Sequence, residues 1–229
     1  MKIYLVGGSV RDHLLGVQSK DQDYMVEGTY EEMLYHLVEK CGYTIIHEKP
    51  EFLTARVRIP TGQVVDFACC RTEGDYDGRR PGTVEATSLH NDLSRRDFTV
   101  NAMAWEVDPV TFQTIGEIID PFDGERDLRN KLLRFVGPPY KRLEEDGLRW
   151  LRAIRFIITK GFQPNVDAHV AIFKDVPPNI LDKVSPERIK DELDKCFKYD
   201  TLKTIEVLSK LPPYWLKDNL WLKATLESK

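Results

Sequence analysis

The stretch LVGGSVRDHLLG, residues 5–16, joins one apolar run to another through two glycines and a serine, with Arg11 and Asp12 opening the second run. Upstream, KIYLV (2–6) is short, β-branched and aromatic and ends at glycine, which predicts a buried strand. VRDHLLG reads as a helical turn closed by Gly16. Glycine permits positive φ and close backbone approach to a ligand. Backbone N–H groups at a helix start attract phosphate oxygens, and an arginine in the first turn can fork onto a phosphate. The corner Gly7-Gly8-Ser9 is neither a Walker A loop nor a GxGxxG fingerprint, since it lacks GK[ST] and the dinucleotide spacing. Alone it also fits an ordinary tight turn.

Next along the chain comes DQDYMV (21–26), which alternates and then turns apolar, as a strand does. Asp21 and Asp23 stand at i and i+2, so on a strand their side chains share a face. Two carboxylates that close repel unless a cation lies between them. Hard oxygen ligands suit Mg²⁺, which takes one or two protein carboxylates plus substrate phosphates. DxD also fits a strand edge or the start of a turn. Asp66, in VVDFACC, is flanked by apolar residues, and burying an unpaired carboxylate is costly. A partner or a metal is therefore expected there. Three carboxylates on neighbouring strands are what two-metal phosphoryl transfer requires.

The wider chain has 229 residues, 41% hydrophobic and 31% charged. That length allows one or two compact domains. No apolar run approaches the roughly 18 residues of a membrane span. The apolar core of MKIYLVGG is too short for a secretion signal. A cytoplasmic protein without membrane partners is expected. Cys41, Cys69, Cys70 and Cys196 form no CxxC or zinc pattern and read as reduced thiols. A net charge of −4 excludes coating of nucleic acid by bulk charge. RNA or nucleotide binding would need local cation clusters, which SRRD and LRWLRAIR supply.

TYEEMLYHLVEKCG reads as a helix capped at Thr29 and stopped at Gly42. FLTARVRI and QVVDFACC read as a hairpin across PTG. From Arg71 to His90 the chain is rich in Gly, Asp and Arg without a period, which predicts a long mobile loop. FTVNAMAWEV resumes a buried pattern, and IGEIIDPF and KLLRFVG read as short strands. Beyond Gly137-Pro138-Pro139 the pattern is helical, broken at 161–164, 177–178 and 212–213.

These motifs together resemble the class II tRNA nucleotidyltransferases (the CCA-adding enzymes) and the related bacterial poly(A) polymerases. GGSVRD with DQD resembles the first motif of that family, and SRRDFTVNAMA (94–104) the second. IIDPFDGERDLRNKLLRFVG (118–137) resembles the third, EEDGLRWLRAIRF (144–156) the fourth and SPERIKDEL (185–193) the fifth. The resemblance implies an α+β fold: a polymerase-β-type nucleotidyltransferase head with a mixed or antiparallel sheet and flanking helices, then a small all-helical neck. The expected division is a head at 1–136, a neck at 137–198 and a short helical remainder of a truncated body at 199–229. The chain then reads as a natural minimal enzyme, a fragment, or one half of an assembly in which a partner chain or oligomer replaces the missing body and tail domains. The implied activity is Mg²⁺-dependent transfer of CMP and AMP from CTP and ATP to a tRNA 3′ end. By resemblance, Asp21 and Asp23 hold metal, and Asp66 matches the third carboxylate. Gly8 and Arg11 match triphosphate contacts and Arg96 a nucleotide contact, while the glycine corner itself adds Gly7 and Ser9 as candidate nucleotide-binding residues. Asp146 and Arg149 read the base, and Arg152 and Arg155 add nucleotide contacts. RTEGDYDGRRPG resembles the flexible loop that takes part in the switch from C to A addition.

Helix geometry bears on the fourth motif. At about 100° per residue, Arg149, Arg152 and Arg155 fall within an arc of about 120°. Trp150, Leu151, Ile154, Ile157 and Ile158 gather opposite. The helix is expected to pack by the apolar face and present guanidinium groups on the other. Arginine suits two-point recognition, while charges on a helix also fit a solvated face. Read without the resemblance, Arg95-Arg96-Asp97 fits an ion-pair cluster, Asn101 a buried tie, and DPFDGERDL a turn plus a helix start. Trp215 and Trp221 fit either a cap on the core or an exposed patch.

Overall fold

The computed structural model describes residues 1–17, 22–74 and 82–214. The chain divides into two compact units. The first closes at Leu128 and the second opens at Arg129, short of the expected boundary at 136. The physical reason is a small parallel pair: β9 (Leu132–Leu133) bonds to β10 (Gln163–Pro164), which ties 132–133 to the helical part.

The first unit is built on a six-stranded mixed sheet. Its strands are β1 (Ile3–Val6), β2 (Asp23–Val26), β3 (Thr44–Lys49), β4 (Thr54–Arg58), β5 (Val64–Cys69) and β8 (Ala104–Val107), in the order β3-β4-β5-β2-β1-β8. All neighbouring pairs are antiparallel except β2–β5. On β5 the residues Val65, Phe67 and Cys69 are buried while Val64 and Asp66 are exposed. That alternation marks a sheet with one covered and one open face. Strand β1, IYLV, one in from the β8 edge, is buried throughout. The expected β4–β5 hairpin is present.

Helix α1 (Gly8–Leu14) follows β1 directly. α2 (Tyr30–Tyr35) starts in a capping box between Thr29 and Glu32, and its last stretch, His36–Lys40, widens to π-helical turns. The region expected as one long loop carries structure at both ends. β6 (Arg71–Gly74) and β7 (Thr83–Ala86) form an antiparallel ribbon, and α3 (Leu89–Ser94) starts at a Ser88 cap. Four-residue strands without an apolar period leave no trace in a hydrophobic pattern; the ribbon is held by backbone pairing, and Glu73 of β6 pairs with Arg71 on its own strand and with Arg95 just after α3. Residues 75–81 of that loop lie outside the described residues. IGEIIDPF forms no strand, only an isolated bridge between Ile119 and Ala104. Asp120 instead accepts the N–H groups of Gly124 and Glu125 at the start of α4 (Gly124–Arg129).

The second unit contains α5 (Pro139–Glu145), α6 (Leu148–Lys160), α7 (Val166–Phe173), α8 (Pro186–Tyr199) and α9 (Thr201–Leu208). Its centre is α6, with Trp150, Leu151, Ile154 and Ile158 buried as the period requires. The Trp150 indole donates to the Ile172 carbonyl of α7 (3.1 Å). α8 and α9 pack on α6. Trp215 and Trp221 lie outside the described residues. Among the described residues, no helix is long and apolar enough to cross a membrane.

Candidate active site

The parallel pairing of β2 and β5 sets Asp23 directly beside Asp66. Residues in register on adjacent strands share a face, so both carboxylates belong to the open side of the sheet. Asp23 is exposed, and its N–H donates to the Ser9 hydroxyl (3.4 Å), which links the carboxylate strand to the glycine corner. Asp21 lies outside the described residues.

Asp66 corrects the expectation of a buried carboxylate. Its side chain is 54% exposed, because VVDFAC alternates instead of being buried on both sides. Its partner is Arg56, directly opposite on β4. Arg56 Nε and Nη2 donate to the two Asp66 oxygens, each at 2.7 Å. Those hydrogen bonds hold the Asp66 carboxyl below the usual carboxylate range, against partial burial; the charges of Arg56 and Lys49 act in the same direction.

Asp23 and Asp66 line a cleft of about 430 Å³, together with Lys49, Arg56, Arg71, Arg95 and Arg96. Arg96 is set by two contacts that sequence reading missed. Asp92, fully buried, accepts from Arg96 Nε and Nη2 (both 3.2 Å) and from Arg95 (2.9 Å). Burial pushes the Asp92 carboxyl up, but the guanidinium charges of Arg96 and Arg95 outweigh it and the net shift is downward. The second contact is Gly7. With φ +67° it stands so near Arg96 that a Cβ would meet Nη1 at 2.5 Å. The bare backbone expected to admit a ligand thus also admits the guanidinium. Asp92 had a readable signal, since it lies three and four residues before Arg95 and Arg96 on one helical turn.

Arg11, which by resemblance contacts the triphosphate, packs against the glycine corner beside Gly8. Its guanidinium is buried beneath the corner, donating to the Asn101 side-chain oxygen and to Asp12 (2.9 and 2.8 Å). Asn101 in turn donates to Asp97 (2.9 Å), so it is the buried tie its position suggested. Gly8 opens α1 against the Arg11 guanidinium.

In the second unit the arginine face of α6 meets carboxylates instead of solvent. Arg149 is buried and donates to Glu145 Oε2 (2.6 Å) and to the Arg142 carbonyl (3.0 Å). Arg155 donates to Glu192 Oε2 on α8 (2.5 Å). Burial raises the Glu192 carboxyl, yet Arg155, Arg152 and Lys195 together bring it below its ordinary value. Asp146 caps the turn into α6 by accepting from the Leu148 N–H (3.0 Å), and its other oxygen accepts from Arg188 Nη2 (2.8 Å). It borders a cavity of about 390 Å³ with Glu145 and Tyr140. Glu145 was readable from its i, i+4 spacing to Arg149. Arg188, Glu192 and Arg56 come from other elements, and no local signal assigns them.

Chemically, the first unit offers two hard-oxygen carboxylates side by side on an open face, ringed by cations. That donor set fits a divalent ion shared with substrate phosphates. Among the described residues no group of three or more His, Cys, Asp or Glu gathers as a metal site.

The mixed sheet, with its carboxylate register and the glycine corner at the C-terminal end of β1, is of the polymerase-β nucleotidyltransferase class. The chain belongs to the Poly A polymerase head domain family, which matches residues 3–134. Curated relatives include a CCA-adding enzyme of Ligilactobacillus salivarius, 40% identical over 82% of this chain and 44% of its own length. An A-adding tRNA nucleotidyltransferase of Aquifex aeolicus is 37% identical over 87% of this chain and 23% of its own. Among solved structures, the Bacillus stearothermophilus CCA-adding enzyme in complex with CTP superposes with a TM-score of 0.74 at 31% identity, over 93% of this chain and 49% of that one. The chain thus spans less than half the length of these proteins.

Proposed function

We propose that this chain is a cytoplasmic, template-independent tRNA nucleotidyltransferase that adds CMP and AMP, from CTP and ATP, to the tRNA 3′ end. The observation that carries this reading is the register of Asp23 with Asp66 on an open face lined by Arg95 and Arg96. Relatives named for CCA addition and A addition, and a related structure holding CTP, support it.

In the reaction the RNA 3′ oxygen forms a bond to the α-phosphorus of the nucleotide. The bond from that phosphorus to the bridging oxygen breaks, pyrophosphate leaves with the electron pair, and the hydroxyl proton passes to solvent. Asp23 and Asp66, with Asp21 by resemblance, would hold Mg²⁺, which when bound supplies charge stabilisation to the attacking and leaving oxygens. Arg96, fixed by Asp92 and Gly7, meets the nucleotide. Ser9 holds the backbone of Asp23. Asp146, oriented by the Leu148 N–H and Arg188, accepts from the amino group that cytosine and adenine share. Guanine and uracil place a carbonyl there, which meets the carboxylate oxygen with repulsion instead of a hydrogen bond and disfavours them.

The test is incubation with tRNA lacking CCA, Mg²⁺ and each labelled nucleotide. CMP and AMP incorporation that stops after CCA is expected. In Asp146→Ala, UTP and GTP should compete with CTP and ATP. A long A tail would instead mark a poly(A) polymerase, and no incorporation would mark a binding module.

A further inference from the structure

The cleft extends past Asp66 onto β4 and the edge strand β3. A register shift between Ile45 and His47 inserts one extra residue into β3. After it, His47 stands opposite Arg56 and Lys49 opposite Thr54. Bulges re-aim side chains in this way. The result is one continuous row across four strands, Asp23–Asp66–Arg56–His47, with Lys49 one step further along the same face. His47, Lys49 and Arg56 are exposed and line the same cleft as the carboxylates. Edge-strand charges that merely block pairing work at the strand's free edge; these stand out from the face.

Direction follows from the order of the strands. The glycine corner and Arg96 lie on the β1–β2 side of Asp23, and Asp66, Arg56 and His47 lie on the other. In phosphoryl transfer the attacking and leaving oxygens are roughly in line, on opposite sides of the phosphorus. With the triphosphate at the glycine corner, the attacking hydroxyl arrives over β5, β4 and β3. We infer that His47, Lys49 and Arg56 form a seat for the backbone phosphates of the RNA strand that ends in that hydroxyl. The inference rests on the proposed function and adds where the RNA end lies. Arg56 joins the seat to the carboxylates: its Nε and Nη2 hold Asp66, which leaves Nη1 to meet the incoming phosphate.

The test compares wild type with Lys49→Glu and His47→Glu, both at exposed positions, with circular dichroism to confirm folding. Binding of a short fluorescent single-stranded RNA with a free 3′ hydroxyl is read by anisotropy across a salt series. Each substitution should weaken RNA binding roughly tenfold and reduce the slope against log salt by about 0.7 per lost phosphate contact. In turnover the KM for RNA should rise while the KM for CTP and ATP stays constant. Arg96→Lys should show the opposite split. Unchanged RNA affinity and salt slope in both variants would overturn the seat, even if wild type adds nucleotides normally. Lys49-dependent RNA binding without any incorporation would keep the seat and overturn the function. Absence of RNA binding by wild type would overturn the seat as well.

Discussion

At the scale of single residues, Gly7 shows how a motif position serves a neighbour. Its φ of +67° with ψ −126° is a conformation that side-chain-bearing residues avoid, and its missing Cβ leaves space for Arg96. Gly7→Ala should lower stability by about 1–3 kcal/mol through backbone strain. It should also raise the KM for nucleotide more than the KM for RNA, because the displaced group is the Arg96 guanidinium. Urea unfolding and steady-state kinetics read the two effects separately. The sequence pointed to Gly7, Arg96 and Asp23 but could not assign their contacts. Arg11 illustrates the difference: its spacing fits a phosphate ligand, and its buried bond to Asn101 is a long-range fact.

At the scale of elements, α6 and α8 are joined by an ion pair whose acid is nearly covered: the Glu192 side chain is 5% exposed and that of Arg155 17%. Removing one partner of such a pair leaves a buried charge without compensation and typically costs about 3–5 kcal/mol. Glu192→Ala should destabilise the helical unit by about 3 kcal/mol, measured by loss of helical circular dichroism in urea. The pH dependence has a fixed sign. The folded Glu192 carboxyl lies below its ordinary value of 4.5. Its contribution is therefore full above that value and lost as pH falls through the lower folded value. Wild type should lose stability in that acid window, and Glu192→Gln should show a shallower loss there. The arginines of α6 were legible as a stripe. Their partners were not, because Glu192 sits 37 residues beyond Arg155 and only packing brings the two helices together.

At the scale of the whole molecule, two units with separate cores carry the carboxylate row and the arginine helix. Gly147, at the start of α6, is packed against the Ile180 carbonyl so tightly that a Cβ would overlap it. Overpacking against backbone costs about 1–3 kcal/mol or more. In Gly147→Ala, amide hydrogen exchange should quicken across α6 and α8 and stay unchanged in β1, β2 and β5. Equal quickening in the sheet would show one cooperative unit in place of two.

The sequence by itself determined the strand-to-helix corner at residues 5–16, the β4–β5 hairpin, the Thr29 cap, the apolar stripe of α6 and the family. Each of these is a local pattern of period, capping or motif spacing, so it is written along the chain. Tertiary structure alone decided that Asp66 lies beside Asp23, that Arg56 rather than a buried pocket meets it, and that a bulge turns His47 and Lys49 onto the same face. It also decided that Arg188 holds Asp146. Register and helix packing join residues far apart in sequence, and a parallel pairing or a one-residue shift leaves no periodic mark from which they could be read.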